Sequence, residues 1–275
     1  MGSRHGGCPL LQEQAMFYLS RQGWHYYSIK DRSWNSTGSH LFNEQLSKNV
    51  AAEQLVDLKH GVQIPDDALP PFSGSKILCV GRNYRKHAAE LGNDVPERPL
   101  WFSKPPSSII GEGGTVKIPA NAGRIDYEGE LALLIGRRAS NVSHDEALAC
   151  IGGVTASLDM TARDLQKSDG QWTRAKGFDT FLPLASLVAP FTSAWSSGSI
   201  SVRKNDLIVQ QSDFSAMVFG FATLIADISA CMTLEPGDII LTGTPEGIGP
   251  VTDGDRLQVE ISGPVKIVLN VKVSR

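Results

Sequence analysis

The segment Asp126-Tyr127-Glu128-Gly129-Glu130-Leu131-Ala132-Leu133-Leu134-Ile135-Gly136 carries the strongest chemical signal in the chain. Its mostly period-two character predicts a strand over 125–135, and side chains alternate faces along a strand, so Glu128 and Glu130 point to the same side. Two like charges at the head of an apolar strand are unfavourable without a partner. A divalent cation supplies one: a hard ion such as Mg²⁺ takes oxygen ligands and keeps positions for water or substrate. Gly129 leaves the opposite face open for close packing or a bend. In isolation, a Glu-x-Glu pair fits a solvated strand face equally well. A third acid, Asp159, closes the apolar run Gly153-Val154-Thr155-Ala156-Ser157-Leu158. It is either a further oxygen ligand or the cap of the following turn, and spacing does not separate the two.

A second constellation is Tyr84-Arg85-Lys86-His87-Ala88-Ala89-Glu90. At i, i+3 on a helix, His87 and Glu90 are neighbours on one face. That suits a carboxylate orienting an imidazole base, and it also suits a solvated His–Glu pair. The glycine-rich stretch Gly243-Thr244-Pro245-Glu246-Gly247-Ile248-Gly249 lacks the Gly-Lys-Ser/Thr ending of a phosphate-binding loop, so nucleotide binding is set aside.

The elements that must position these residues are mostly strands. Residues 76–81 and 153–160 read as apolar strands, 200–210 as a hairpin turning at Lys204-Asn205-Asp206, and 256–261 and 265–273 as alternating strands. Residues 84–91 have helical choices with a stop at Gly92-Asn93. Residues 145–150 form a short helix with Ser143 as cap and Glu146 at the capping-box spacing. Met217, Val218, Phe221, Leu224, Ile225, Ile228 and Cys231 mark an amphipathic helix over 215–232. After Pro236-Gly237, residues 238–241 are a strand. Strands outnumber helices and few alternate strictly with them, which favours an α+β fold with mixed sheets over a doubly wound one. Near the start, 24–29 reads as a strand and Asn35-Ser36-Thr37-Gly38-Ser39 as a loop. Pro65 and Pro70-Pro71 mark a boundary before the main body.

With 275 residues, 41% hydrophobic and 20% charged, the chain has ordinary globular composition, enough for one large domain or one domain with an appendage. A net charge of -3 argues against nucleic-acid or anionic-membrane partners. No apolar run is long enough for a membrane span, and no secretory signal is expected. Cys8, Cys79, Cys150 and Cys231 are scattered without a Cys-x-x-Cys pair, so buried free thiols in the cytoplasm are expected rather than a zinc or redox site.

Four motifs then occur in order: Val80-Gly81-Arg82-Asn83-Tyr84, Tyr127-Glu128-Gly129-Glu130-Leu131, Leu158-Asp159-Met160-Thr161-Ala162-Arg163-Asp164-Leu165-Gln166, and Leu241-Thr242-Gly243-Thr244-Pro245-Glu246-Gly247-Ile248-Gly249. Together, over roughly residues 75–273, the chain resembles the fumarylacetoacetate hydrolase family, close to its acylpyruvase and oxaloacetate-decarboxylase branch. The resemblance implies a mixed β-roll catalytic domain over 73–275 behind a small variable region over 1–72, a homodimer, and Mg²⁺ or Mn²⁺ on Glu128, Glu130 and Asp159. It implies that Lys176 is the active-site lysine, that Thr244 lies in the loop contacting the substrate carboxylate, and that Gln166 lies beside the metal. His87 and Glu90 would sit on a lid over the substrate. Arg82 and Tyr84 are expected to bind substrate, and Arg85, Lys104 and Arg163 join them as candidates for gripping a second carboxylate. Tyr127 departs from the family pattern, since some acylpyruvase relatives carry histidine there, so exact substrate identity does not transfer.

The implied chemistry is hydrolysis of the C3–C4 bond of an acylpyruvate. His87 draws a proton from water, the hydroxide attacks C4, and a pyruvate enolate leaves, stabilised by the metal and Lys176. Decarboxylation of oxaloacetate and keto–enol tautomerisation or isomerisation of a 2-oxo acid pass through the same enolate and stand as alternatives. A metal-binding scaffold without activity is a further class, against which the complete set of polar candidates argues.

Overall fold

The computed structural model describes the strands Gln14–Ser20, Gly23–Ser28 and Ser33–Gly38, residues 70–72, and residues 74–275. The first three strands form an antiparallel sheet of their own. The strand expected near residue 24 is present, whereas Ser33–Gly38 is a strand where composition suggested a loop. Cross-strand pairing with Gly23–Ser28 overrides the turn-rich composition there, as tertiary context commonly does. Leu19 packs against the smaller of two apolar clusters in the main body. Cys8 and Pro65 lie outside the described residues.

The strand Gly129–Ile135 is central to a six-stranded mixed sheet. In spatial order the strands are Ala189–Pro190, Ile151–Leu158, Gly129–Ile135, Ile239–Leu241, Ile77–Gly81 and Leu100–Lys104. Both faces of this sheet are covered. Leu131, Leu133 and Ile135 join the larger apolar cluster, and Ala132 and Leu134 the smaller one, which is why the run after Glu130 is apolar at every position. The larger cluster also holds Val202, Leu257, Val259, Ile261, Ile267 and Leu269 from a five-stranded sheet. That sheet runs Leu207–Asp213, Ser199–Lys204, Arg256–Ser262, Lys266–Ser274, Thr115–Lys117, so two sheets share one core.

Among the described residues helices are few and short. Ser143 and Glu146 form the expected capping box at the start of His144–Ala147, and a 3₁₀ turn carries on through Leu148–Cys150. Among the described residues the longest helix is Phe221–Cys231. It begins after Gly220, so Met217 and Val218, expected in its first turn, precede it. The hairpin turns at Asn205 and Asp206, both with positive φ (49° and 71°), the geometry of a tight two-residue turn. Cys79 and Cys150 are buried free thiols as expected, while Cys231 is exposed. Among the described residues no helix is long and apolar enough to cross a membrane.

Candidate metal centre and active site

Strand register assembles the acids. The expected single strand over 125–135 is broken at Glu128: Ile125–Tyr127 belongs to a small three-stranded sheet and Gly129–Ile135 to the large one. Gly129 pairs with Leu158 and Glu130 with Ser157 across the antiparallel ladder, so the residue after Leu158 arrives beside Glu128, and the Asp159 N–H donates to the Glu128 carbonyl at 2.8 Å. Carboxylate oxygens of Glu128, Glu130 and Asp159 lie within 4.8 Å of one another, and all three residues are buried. Asp159 therefore faces the site rather than capping the next turn.

The third strand of the ladder adds a donor. Leu241 pairs with Ala132, which brings the Gly243 N–H to within 2.6 Å of Glu130 Oε2. Gly243 has φ +96°, and a Cβ there would lie 2.7 Å from that of Asn83, so only glycine fits. Asn83 in turn donates to the carbonyls of Phe219 (3.0 Å) and Thr242 (2.7 Å) and accepts the Phe219 N–H (2.8 Å), which pins the turn after Ile77–Gly81. Within that turn Arg82 adopts φ +56°, a costly conformation for a non-glycine residue, and its side chain lines the cavity described below.

Three cations meet the acids. Lys176 Nζ donates to Glu128 Oε2 (2.7 Å) and Asp159 Oδ2 (2.6 Å), and Lys104 Nζ to Asp159 Oδ1 (2.6 Å). Arg163 donates to Glu128, to Asp126 Oδ2 (2.8 Å) and to Gln166 Oε1 (2.7 Å). Arg124 holds Asp126 from the other side at 2.7 and 3.1 Å. Burial opposes ionisation of Glu128, but Arg163 and Lys176 outweigh it and hold its carboxyl well below the usual range. Burial likewise opposes the charge on Lys176, which Asp159 and Glu128 restore and strengthen. Glu130 is the exception. Burial, then Asp159 and Glu128, push its carboxyl well above the usual range. An oxygen-only donor set with one acid left short of positive charge fits a hard divalent ion such as Mg²⁺ or Mn²⁺.

Beside the acids lies a cavity of about 270 Å³. Arg82, His87, Glu128, Glu130, Asp159, Arg163, Gln166, Lys176 and Thr244, nine residues singled out from sequence, all line it. Tyr84 does not: it is 2% exposed and its large apolar ring is spent on the interior. Arg85 is exposed and Lys104 is engaged by Asp159, so neither lines the cavity. His87 lies on the helix Arg85–Glu90, which Gly92 (φ +67°) terminates. Burial is the main cause that lowers its pKa and keeps the ring neutral. Its Nδ1 has no hydrogen-bond partner and lies 3.6 Å from Glu90 Oε2, while the Glu90 carboxylate accepts the Gly247 N–H at 3.2 Å.

Sequence reading missed the aromatic wall and the Asp126 clamp. Trp172 and Phe102 line the cavity in an edge contact (5.2 Å between centroids), and Lys176 Nζ lies 5.0 Å from the Phe102 ring centre. The signal for Asp126 was its place two residues before Glu128 on the same strand face. For Phe102 and Trp172 no local pattern separates a wall from a core.

A family model described as fumarylacetoacetate (FAA) hydrolase C-terminal matches residues 76–272. The chain belongs to the fumarylacetoacetate hydrolase family. Among relatives of this family, it is 45% identical over 205 residues to the Arabidopsis thaliana protein named oxaloacetate tautomerase FAHD1, mitochondrial, covering 72% of this chain and 92% of that one. The solved structure of 2-hydroxyhepta-2,4-diene-1,7-dioate isomerase from Mycobacterium marinum superposes with a TM-score of 0.76 at 34% identity, covering 96% of this chain and 98% of that one. Fumarylpyruvate hydrolase from Pseudomonas aeruginosa, solved in complex with Mn²⁺ and pyruvate, superposes with a TM-score of 0.69 at 29% identity, covering 76% and 92%. Fold class and family thus stand as the sequence motifs implied, and the family's named members include tautomerase, isomerase and hydrolase.

Proposed function

We propose that this chain is a divalent-metal-dependent enzyme that interconverts a small 2-oxo diacid and its enol, with oxaloacetate as the first candidate substrate. The observation that carries this reading is one cavity lined both by the acid triad and by four cationic side chains, Arg82, Arg163, Lys167 and Lys176. Arg163 and Lys176 are engaged by Glu128, whereas Arg82 and Lys167 have no ion pair among the described residues and are available to a second substrate carboxylate. A divalent ion held by Glu128, Glu130 and Asp159 would supply Lewis-acid stabilisation of negative charge on the 2-oxo oxygen. Lys176 adds a fixed positive charge in a buried setting, where electrostatics act strongly. Thr244 and Gln166, both lining the cavity, orient the substrate. His87, neutral by burial, moves the proton at C3, and Glu90 orients its ring. The named activity of the Arabidopsis relative supports oxaloacetate, and the Pseudomonas complex supports the metal and a pyruvate-type ligand.

The second reading is the hydrolytic one, C3–C4 cleavage of an acylpyruvate. The Glu90 carboxylate beside His87 Nδ1 favours it, because a proton held on that nitrogen leaves Nε2 as the base that takes a proton from water. Oxaloacetate enol decay, CO₂ release and pyruvate release from acetylpyruvate, each with Mg²⁺, Mn²⁺ or excess chelator, separate the reactions. The expected result is chelator-sensitive loss of the enol absorbance above the ion's own background. Equimolar acetate and pyruvate from acetylpyruvate, with no acceleration of enol decay, would overturn the leading reading in favour of the second.

A further inference from the structure

The strand Leu207–Asp213 inverts the usual pattern of burial. Its apolar Leu207 and Ile208 are 72% and 50% exposed, while Gln210, 2% exposed, is its one buried residue. A polar side chain buried where apolar neighbours are left in water breaks the local rule, and such breaks concentrate at functional sites. The strand is brought onto the acid pair by Gly129: a Cβ there would fall 2.2 Å from Val202 of the paired strand Ser199–Lys204.

The Gln210 amide joins two parts of the site. Its Oε1 accepts the N–H of Gly129, the residue between Glu128 and Glu130, at 2.9 Å. Its Nε2 donates to Thr244 Oγ1 at 2.9 Å and to the Pro245 carbonyl at 2.8 Å. The amide orientation follows from chemistry, because a backbone N–H only donates and a carbonyl only accepts. Thr244 Oγ1 therefore accepts from the protein, and its own hydrogen has no acceptor among the described residues. Thr244 lines the cavity, so that hydrogen is available there.

We propose that Gln210 is a positioning residue that holds Gly129 in the acid pair and sets the Thr244 hydroxyl as a donor into the cavity. The occupant facing Thr244 must then offer an acceptor, such as a carboxylate or enolate oxygen. This inference rests on the metal and 2-oxo acid reading above.

The test is calorimetric titration of Mn²⁺, and of oxalate in the presence of Mn²⁺, into the full chain and its variants. Gln210→Met keeps length and removes every hydrogen bond. It should weaken both affinities about 10- to 100-fold, the usual range for groups that orient ligands from behind. Thr244→Val should weaken oxalate alone, and the oxalate losses of the two variants should not add in the double variant. Where Gln210→Met does not fold, Gln210→Glu carries the test: it keeps the acceptor for Gly129 and loses the donor, so oxalate affinity falls further than Mn²⁺ affinity. A merely structural Gln210 would lower the melting temperature and leave both affinities unchanged, which would overturn the proposal, as would full additivity with Thr244→Val. Wild-type protein that binds neither probe would overturn the site reading together with this one. Wild-type binding with unaltered variants overturns only the role of Gln210.

Discussion

Asp238 and Glu130 are both buried carboxylates at strand ends, 0% and 2% exposed, and their surroundings are opposite. Asp238 accepts from the Ser75 N–H (2.7 Å), the Ser75 hydroxyl (3.0 Å), the Lys76 N–H (2.9 Å), the Lys76 ammonium (2.5 Å) and the Glu235 N–H (2.8 Å). Burial opposes its charge, yet these donors outweigh burial and hold its carboxyl below the usual range. Among the described residues Glu130 accepts one side-chain hydrogen bond, from Gly243, and faces two further carboxylates. Folding satisfied the first acid internally and left the second with a single donor beside two other acids. A buried charge without compensation is costly, so a chain retains one where a ligand completes it. His87, with its buried and unpartnered Nδ1, stands on the same side of this contrast as Glu130.

The sharpest way to break the contrast is at His87. His87→Ala should lower turnover by about two to four orders of magnitude, as loss of a general base does, while leaving the melting temperature nearly unchanged. Unchanged turnover in steady-state assays would remove His87 from the chemistry. Asp238→Asn should do the reverse. It leaves the Lys76 ammonium without its partner and should cost about 3 kcal/mol in denaturant unfolding, with turnover of the folded fraction kept. Glu130→Gln should be milder and opposite in sign: with metal chelated, relief of repulsion should stabilise the fold by about 1 kcal/mol. A destabilised Glu130→Gln would mean that Glu130 is structural after all.

The smallest expected effect is on pH dependence. The folded pKa of Asp238 lies below its unfolded value, so its contribution is complete above the unfolded value, about 3.9, and is lost as pH falls through the folded one. Chelated wild-type protein should therefore lose stability over that acid window more steeply than Asp238→Asn. Parallel curves from urea melts at stepped pH would contradict the assignment.

Much of the site was legible in the sequence because strand periodicity is strict. Alternation alone aligned Glu128 with Glu130, and the apolar run before Asp159 fixed it at a strand end. The break at Glu128 was not legible, since the register that divides 125–135 between two sheets depends on partners far along the chain. Tyr84, expected to bind substrate, is buried away from the cavity lining, because motif position does not reveal which way a ring turns at the edge of a helix. Ser33–Gly38 was misjudged because its residue types favour turns and only its neighbour strand makes it extended. Gln210 left no trace at all: beside Leu207, Ile208 and Val209 it reads as the exposed residue of an alternating strand, and the inversion appears only when the hairpin lies against Gly129.

Glu128, Glu130 and Asp159 are proposed to hold one divalent ion. Mn²⁺ binding followed by electron paramagnetic resonance on wild-type protein and on Glu130→Gln tests it most directly. One tightly bound Mn²⁺ per wild-type chain is expected, with loss of that binding in a variant that remains folded. Equal binding by the two proteins, or no bound Mn²⁺ in the wild type, would contradict it.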